Sequence, residues 1–364
     1  MPLDVAIVRR RPPRPRATED GHRLRPAGHG LVVAVLALGL GLLLNAPGIH
    51  KSAYNQPDGW KRDVATAFTG PLRAVSHALL LDRPRAGVQA LIGRSGSDDI
   101  DVGIALPPVT AGSPPGGSGP QSAVGRQARL AFTPQRKLRL WIAGDSLVIT
   151  PGYSIVRAAA ASPVIEPVGE VEGRVATGLE RPDVFNWFEE IARKMKQLRP
   201  QAVVLGFGAN DDHGYMTGLP AGAAVSGFGT PGWEREYRRR VGGLMDTVTR
   251  AGAFLVWIGL PLTRSPGQTQ RFDRINAAVI KEAARRRGRV SYLDTYSLFA
   301  AETGGYSDYR TTVTGKQERV RASDGVHFEA AGGNLIAREV LRRLNEVYDL
   351  TSWRTRKPAR ATAP

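Results

Sequence analysis

From Lys137 onward, short apolar runs alternate with longer amphipathic stretches, and this alternation constrains the fold more than any other feature of the chain. Runs of this length, bounded by turn residues, suit strands buried on both faces, while the stretches between them repeat apolar residues at helical spacing. Strand–helix–strand order builds a parallel sheet with helices packed on it. The expected strands are Leu138–Ala143, Ala202–Phe207, Ala253–Leu260 and Val290–Leu293, with a weaker one near Val164–Val168. One helical stripe joins Val184, Trp187, Phe188, Ile191, Met195 and Leu198, and another joins Leu335, Ile336, Val340, Leu341, Leu344 and Val347. Both read as core-facing surfaces. The expected architecture is α/β, three layers around a doubly wound parallel sheet.

The residues before Lys137 have a different texture. Single cores stop growing below about 250–300 residues, so 364 residues imply one sizeable domain with attachments. Arg9, Arg10, Arg11, Arg14, Arg16, Arg23 and Arg25 crowd a segment over residues 1–27 that is read as a basic cytoplasmic tail. The next segment, 28–49, has an uncharged centre from Leu31 to Leu44 and, with its weakly polar flanks, about the 20 residues needed to cross a bilayer. Cations on one side only orient it, arginines inside and everything after Ile49 exported. Pro47 directly follows the only small residue well placed for signal cleavage, Ala46, so an uncleaved anchor is the preferred reading over a cleaved signal peptide. Across 50–94, Trp60, Val64, Phe68, Leu72, Val75 and Leu79 recur at helical spacing, with Pro71 and Pro84 expected to interrupt the helices. Residues 95–136 are rich in Gly, Ser and Pro and are read as a flexible tether. A last basic tail, 350–364, carries Arg354, Arg356, Lys357 and Arg360.

The formal net charge is +17, yet much of it lies in the two tails. Elsewhere cations sit beside acids on helix faces, as in Glu189-Glu190-Ile191-Ala192-Arg193-Lys194. No nucleic-acid-binding module accompanies the charge, so nucleic acid is not the expected partner. The chain has no cysteine, which excludes thiolate metal sites and cysteine nucleophiles. No histidine–carboxylate cluster has metal-ligand spacing, and Asp211 with Asp212 does not make a site. No metal and no cofactor is expected.

Functional groups of doubly wound sheets gather at the carboxyl ends of strands. The first strand ends in Gly144-Asp145-Ser146-Leu147, a later one in Gly208-Ala209-Asn210-Asp211, and the last helix is preceded by Ser323-Asp324-Gly325-Val326-His327. A serine hydroxyl needs a base before it becomes a useful nucleophile, and His327 is the candidate. Asp324, three positions earlier, can fold back onto its Nδ1–H and leave Nε2 to face Ser146. Taken singly, a serine at a strand end can also cap a helix, and a histidine near the C-terminus can simply be exposed.

These blocks resemble the SGNH/GDSL hydrolase family, whose pattern is a GDSL serine, a lone glycine, a GxND asparagine and a DxxH pair. All occur here in that order, with Thr177-Gly178-Leu179 as the glycine block. The similarity covers residues 137–349 and is closest to an exported, membrane-anchored bacterial branch. It implies an SGNH, flavodoxin-like fold, a catalytic Ser146–Asp324–His327 triad, and an oxyanion hole from the Ser146 and Gly178 backbone N–H groups and the Asn210 amide. Gly178 could equally serve a tight turn. Asp145 and Asp211 are expected to hold loops by accepting backbone hydrogen bonds, and His213 is left at the rim.

Two loops are candidates for choosing the substrate. Gly214–Gly232 is long for a connection and is expected to border the cleft as a mobile rim. Tyr306–Arg321 carries Tyr306, Tyr309, Arg310, Lys316, Arg319 and Arg321, which suit an acidic or sugar-containing polymer or else form an ordinary solvated loop. The resulting expectation is a single-pass protein of the cytoplasmic membrane, its periplasmic esterase domain cleaving carboxylic or O-acetyl esters on a small molecule or envelope polysaccharide. Acyl transfer by the same residues, and a non-catalytic envelope-binding module, are the alternatives.

Overall fold

The computed structural model describes residues 27–54, 56, 60–91, 98, 103–107, 129–212, 214–220, 223–225, 227–311 and 315–354. The N-terminal part holds α1 (Ala27–Leu44), α2 (Ala46–Tyr54), α3 (Trp60–Ala78) and α4 (Arg83–Leu91). The rest runs β1 (Leu130–Ala131), β2 (Leu138–Asp145), α5 (Ile149–Ala160), β3 (Ile165–Pro167), β4 (Glu172–Arg174), α6 (Trp187–Leu198) and β5 (Ala202–Gly206). It continues α7 (Pro231–Arg250), β6 (Phe254–Ile258), α8 (Pro266–Ala284), β7 (Val290–Leu293), α9 (Thr295–Phe299), β8 (Tyr309–Thr311), β9 (Gln317–Arg319), α10 (Ala330–Val347) and β10 (Tyr348–Asp349).

The main sheet has the order β3-β2-β5-β6-β7, with β4 also paired to β2, and every pairing in it is parallel. All five residues of β5 and of β6 are buried, as continuous apolar runs in a two-sided parallel sheet require. From β2 the chain moves outward to β3 through α5, and from β5 it moves the other way through α7 and α8. Right-handed crossovers in opposite directions cover opposite faces of a sheet. Accordingly α5 packs on α10, while α7 packs on both α6 and α8. The expected doubly wound α/β fold is the observed one, and its direction reverses between β2 and β5.

β2 extends past its apolar run to Asp145, because Ala143–Asp145 pair with β4 as Glu172–Arg174 lie alongside them. Short strands escaped the pattern: the polar β4, the β8–β9 hairpin, and the two-residue β1, which pairs with β10 across more than two hundred residues of chain.

The N-terminal helices depart from expectation in two ways. The anchor expected as one helix over 28–49 is divided into α1 and α2, bent by 67°. The break has a covalent cause: Pro47 has no N–H to give the Leu43 carbonyl, and the Ser76 hydroxyl of α3 donates to that carbonyl instead, at 2.7 Å. Among the described residues no single helix is long and apolar enough to cross a membrane, although α1 with α2 and α3 with α4 each pass as bent pairs. Pro71 does not interrupt α3, which runs through it from Trp60 to Ala78. Pro84 sits in the first turn of α4, where its missing N–H is not needed.

The N-terminal helices also touch the sheet domain. Lys51 of α2 is buried and reaches Asp183, bonding its backbone carbonyl at 2.9 Å and its carboxylate at 3.1 Å. Within the stretch read as a tether, Ile104 fits against Gly218 and Leu106 against Gly243 of α7. The Gly112–Pro120 run lies outside the described residues, as do residues 1–26 and 355–364 of the basic tails.

Candidate active site

The two strands at the reversal deliver the first two blocks to one edge. Ser146 begins a short 3-10 turn, Ser146–Val148, that follows β2 and runs into α5. Asn210 follows β5 by four residues. His327 arrives from the loop ahead of α10, and its Nε2 lies 2.9 Å from Ser146 Oγ although the two residues are 181 positions apart. On the other side of the ring, Nδ1 is 2.6 Å from Asp324 Oδ2. An ionised carboxylate only accepts, so Nδ1 carries the proton and Nε2 presents its lone pair to the serine hydroxyl. Asp324 Oδ1 accepts from the backbone N–H of Val326 and of His327, at 2.8 and 3.0 Å. Partial burial works against its charge, but these bonds and the imidazole hold its carboxyl down at about 2.

Two fully buried carboxylates build the ground beneath this trio. Asp145 Oδ1 accepts from Leu147 N, and its Oδ2 accepts from both Gly208 N and Ala209 N, so one side chain ties the serine turn to the end of β5. Burial pushes this carboxyl up to about 7 against the pull of three N–H donors. Asp211 accepts from Leu179 N, Glu180 N and the Tyr237 hydroxyl, which ties the end of β5 to the glycine block and to α7. A Cβ on Gly178 would stand 2.0 Å from Asp211 Oδ1, so glycine here is demanded by a close approach rather than by a turn. Asn210 Nδ2 donates to the Thr177 carbonyl at 2.9 Å; an amide carries two hydrogens, so this bond orients the group and leaves a second donor. Ser146, Gly178 and Asn210 are thereby joined into one assembly by three short crosslinks.

The structure adds two residues that sequence reasoning did not place in the site. Arg321, read with its loop as either substrate-facing or simply solvated, has no exposed surface. Its guanidinium donates to the Leu262 and Val326 carbonyls, both at 2.6 Å, and its Nε to the His327 carbonyl at 3.3 Å. Phe299, Tyr306 and Phe328 surround it at 5.8, 5.3 and 5.0 Å from their ring centroids. Burial pulls its pKa down to about 10, which still leaves it charged. Arg264 pins the same loop from outside, donating to the Ser323 carbonyl at 2.8 Å and pairing with Asp308 at 2.9 Å. Gly325 closes the turn between Asp324 and His327 at φ +73°, and a Cβ there would meet Arg264 Cβ at 2.6 Å.

The remaining candidates divide. Arg310 donates to the Ala300 carbonyl at the end of α9, and Tyr306 donates to Asp308 within the loop, so both side chains are already engaged. Tyr309, Lys316 and Arg319 lie on the β8–β9 hairpin and its turn, and all three are exposed. His213 lies outside the described residues. Of the stretch expected as a mobile rim, Met216 and Thr217 are buried; Thr217 bonds Glu180 and its carbonyl takes a hydrogen from Arg240, so this portion is packed. Asp212 pairs with Arg271. Among the described residues no group of three or more histidines and carboxylates is arranged to hold a metal ion.

Residues 139–343 match the model of an SGNH-hydrolase-like family described as "Protein of unknown function (DUF459)". The chain is similar to a psychrotrophic esterase from Pseudoalteromonas sp., at 12% identity and TM-score 0.38, over 58% of this chain and 98% of that one. It is similar to a GDSL-like lipase from Bacteroides thetaiotaomicron at 13% identity and TM-score 0.39, over 60% and 92%. A catalytic mutant of an acetylxylan esterase from Geobacillus stearothermophilus aligns at 14% identity and TM-score 0.39, over 58% and 95%. No curated protein matches the chain.

Proposed function

We propose that this chain, which belongs to the DUF459 family, is a serine esterase that uses Ser146 as nucleophile, His327 as general base and acid, and Asp324 to orient and charge-balance the imidazole. The observation that carries this reading is the unbroken series of hydrogen bonds from Ser146 Oγ to His327 at 2.9 Å and from His327 to Asp324 at 2.6 Å. Ser146 Oγ attacks the ester carbonyl carbon while its proton passes to Nε2. The carbonyl oxygen gains the electron pair and is received by the Ser146 and Gly178 N–H groups and by the second hydrogen of the Asn210 amide. Collapse of that intermediate expels the alcohol, which takes the proton from Nε2, and water then repeats the cycle on the acyl-serine. Asp324 stays charged throughout, since its carboxyl is held at about 2.

The substrate class proposed is a carboxylic ester, in particular an O-acetyl ester on an envelope glycan outside the cytoplasmic membrane. The uncharged, fully apolar centre of α1 beside the cationic first segment supports export and tethering there. Full-length protein in detergent is expected to turn over p-nitrophenyl acetate, with Ser146→Ala and His327→Ala each lowering kcat by roughly a thousandfold or more. Turnover unchanged by both substitutions contradicts the assigned roles. A reporter fused after Leu350 is expected to be active outside the cytoplasm, and reporter activity only inside contradicts the orientation.

A further inference from the structure

α3 presents an apolar face that none of the described residues covers. Trp60, Val64, Phe68, Val75 and Leu79 fall within an arc of about 100° when wound at helical pitch. Their exposures run from 47% at Val64 to 77% at Phe68. Pro71 and Ala78 fall in the same arc, Ala67 and Ala74 border it, and all four are exposed, so no charge interrupts it after Asp63. The opposite face is occupied: Thr69 bonds His50 of α2, and the Arg62 guanidinium lies 4.6 Å from the Tyr54 ring.

Two observations identify what covers the open face. The first is continuity with α1, whose Leu31, Val32, Val33, Val35, Leu36 and Leu38 are exposed as well. Ser76 fastens α3 to α1 by donating to Leu43 O, a carbonyl that Pro47 leaves without its helical partner and that would be costly to leave bare in hydrocarbon. The second is the end of α3 away from Ser76, where Trp60 is followed by Lys61, its ammonium 5.9 Å from the indole centroid. An amphipathic aromatic beside a cation is the pairing found at headgroup level.

We infer that α3 is a second membrane contact: its Trp60–Leu79 face lies in the interfacial layer of the bilayer that receives α1, with Trp60 and Lys61 at the headgroups. This inference depends on α1 entering the bilayer and is separable from the esterase reading. Because α2 is joined both to α3 and, through Lys51, to Asp183, an in-plane α3 also fixes how the sheet domain faces the membrane.

The chain has no cysteine, so single labels are unambiguous. Full-length Leu36→Cys, Phe68→Cys and Arg193→Cys, each carrying an environment-sensitive fluorophore, are reconstituted into phosphatidylcholine vesicles containing some phosphatidylglycerol, with helix content checked by circular dichroism. The labels at 36 and 68 are expected to shift blue and to be quenched by acyl-chain nitroxides, while the label at 193 responds only to aqueous iodide. Quenching at 36 with iodide access at 68 overturns the inference and leaves the anchor standing. Iodide access at both overturns both. A label at 68 shielded from both quenchers, with Phe68→Cys crosslinking between copies, overturns it in favour of self-association.

Discussion

The aspartates around the site fall into two regions that treat the same carboxyl group in opposite ways. Asp145 and Asp211 are fully buried and spend their oxygens on backbone N–H groups of neighbouring loops. Asp324 keeps 49% of its side chain exposed and spends one oxygen on its own turn and the other on His327. The buried pair builds geometry, and in the proposed mechanism the exposed one manages charge. A carboxylate that must stabilise a transient imidazolium is best held ionised at the edge of water, whereas one that must crosslink loops gains from having no solvent to compete with.

The sharpest test of this division is Asp324→Asn. With no carboxylate to accept Nδ1–H, the imidazole loses its tautomer, and kcat is expected to fall by about a hundredfold to ten-thousandfold while the melting temperature barely moves. A large loss of stability with little loss of turnover would erase the distinction between the two regions.

Arg321→Met comes next in size. It leaves the Leu262 and Val326 carbonyls without their donor in a buried place and lets the His327 turn drift. Turnover is expected to drop about a hundredfold, mostly in kcat, and unfolding free energy by about 3 kcal/mol. Lysine cannot serve several carbonyls at once, so Arg321→Lys should recover only part of either quantity. Full recovery by lysine would mean that only the charge matters.

Asp145→Asn should move stability more than chemistry. However the amide turns, at least one of Leu147, Gly208 and Ala209 loses its acceptor, at about 1–3 kcal/mol in chemical denaturation. Loss of turnover as deep as that of Ser146→Ala, in a protein of normal stability, would move Asp145 into the chemical group.

The smallest effect is a difference in sign. Asp145 is raised to about 7 in the fold, so its contribution is complete below the ordinary value of 3.8 and is lost as pH rises through about 7. Asp324 is lowered to about 2, so its contribution is present above 3.8 and is lost as pH falls through about 2. Stability should therefore decline between about pH 4 and 7 in the unmodified chain and level off above that, and Asp145→Asn should flatten the decline. A decline of equal slope in both proteins removes Asp145 as its source.

Much of this was legible in the sequence. β2, β5, β6 and β7 announce themselves because strands buried on both faces need unbroken apolar runs, and Ser146, Asn210 and His327 stand out as polar groups at their ends or beside the last helix. Asp324 is readable because its partner is three residues away. Arg321 was not, since along the chain it resembles its loop neighbours Arg310, Lys316 and Arg319. Its burial is decided by Leu262, 59 positions upstream, and by aromatic rings from three separate segments. The division of the anchor at Pro47 was hidden for a similar reason: the hydroxyl that donates to the freed Leu43 carbonyl belongs to Ser76, 33 residues beyond Leu43.

The central claim is that Ser146 attacks the ester carbonyl with His327 as its base. Full-length protein treated with a fluorophosphonate and mapped by peptide mass spectrometry should carry one adduct, on Ser146, and should lose it in His327→Ala. An unmodified Ser146, or labelling that is equally fast without the imidazole, would contradict it.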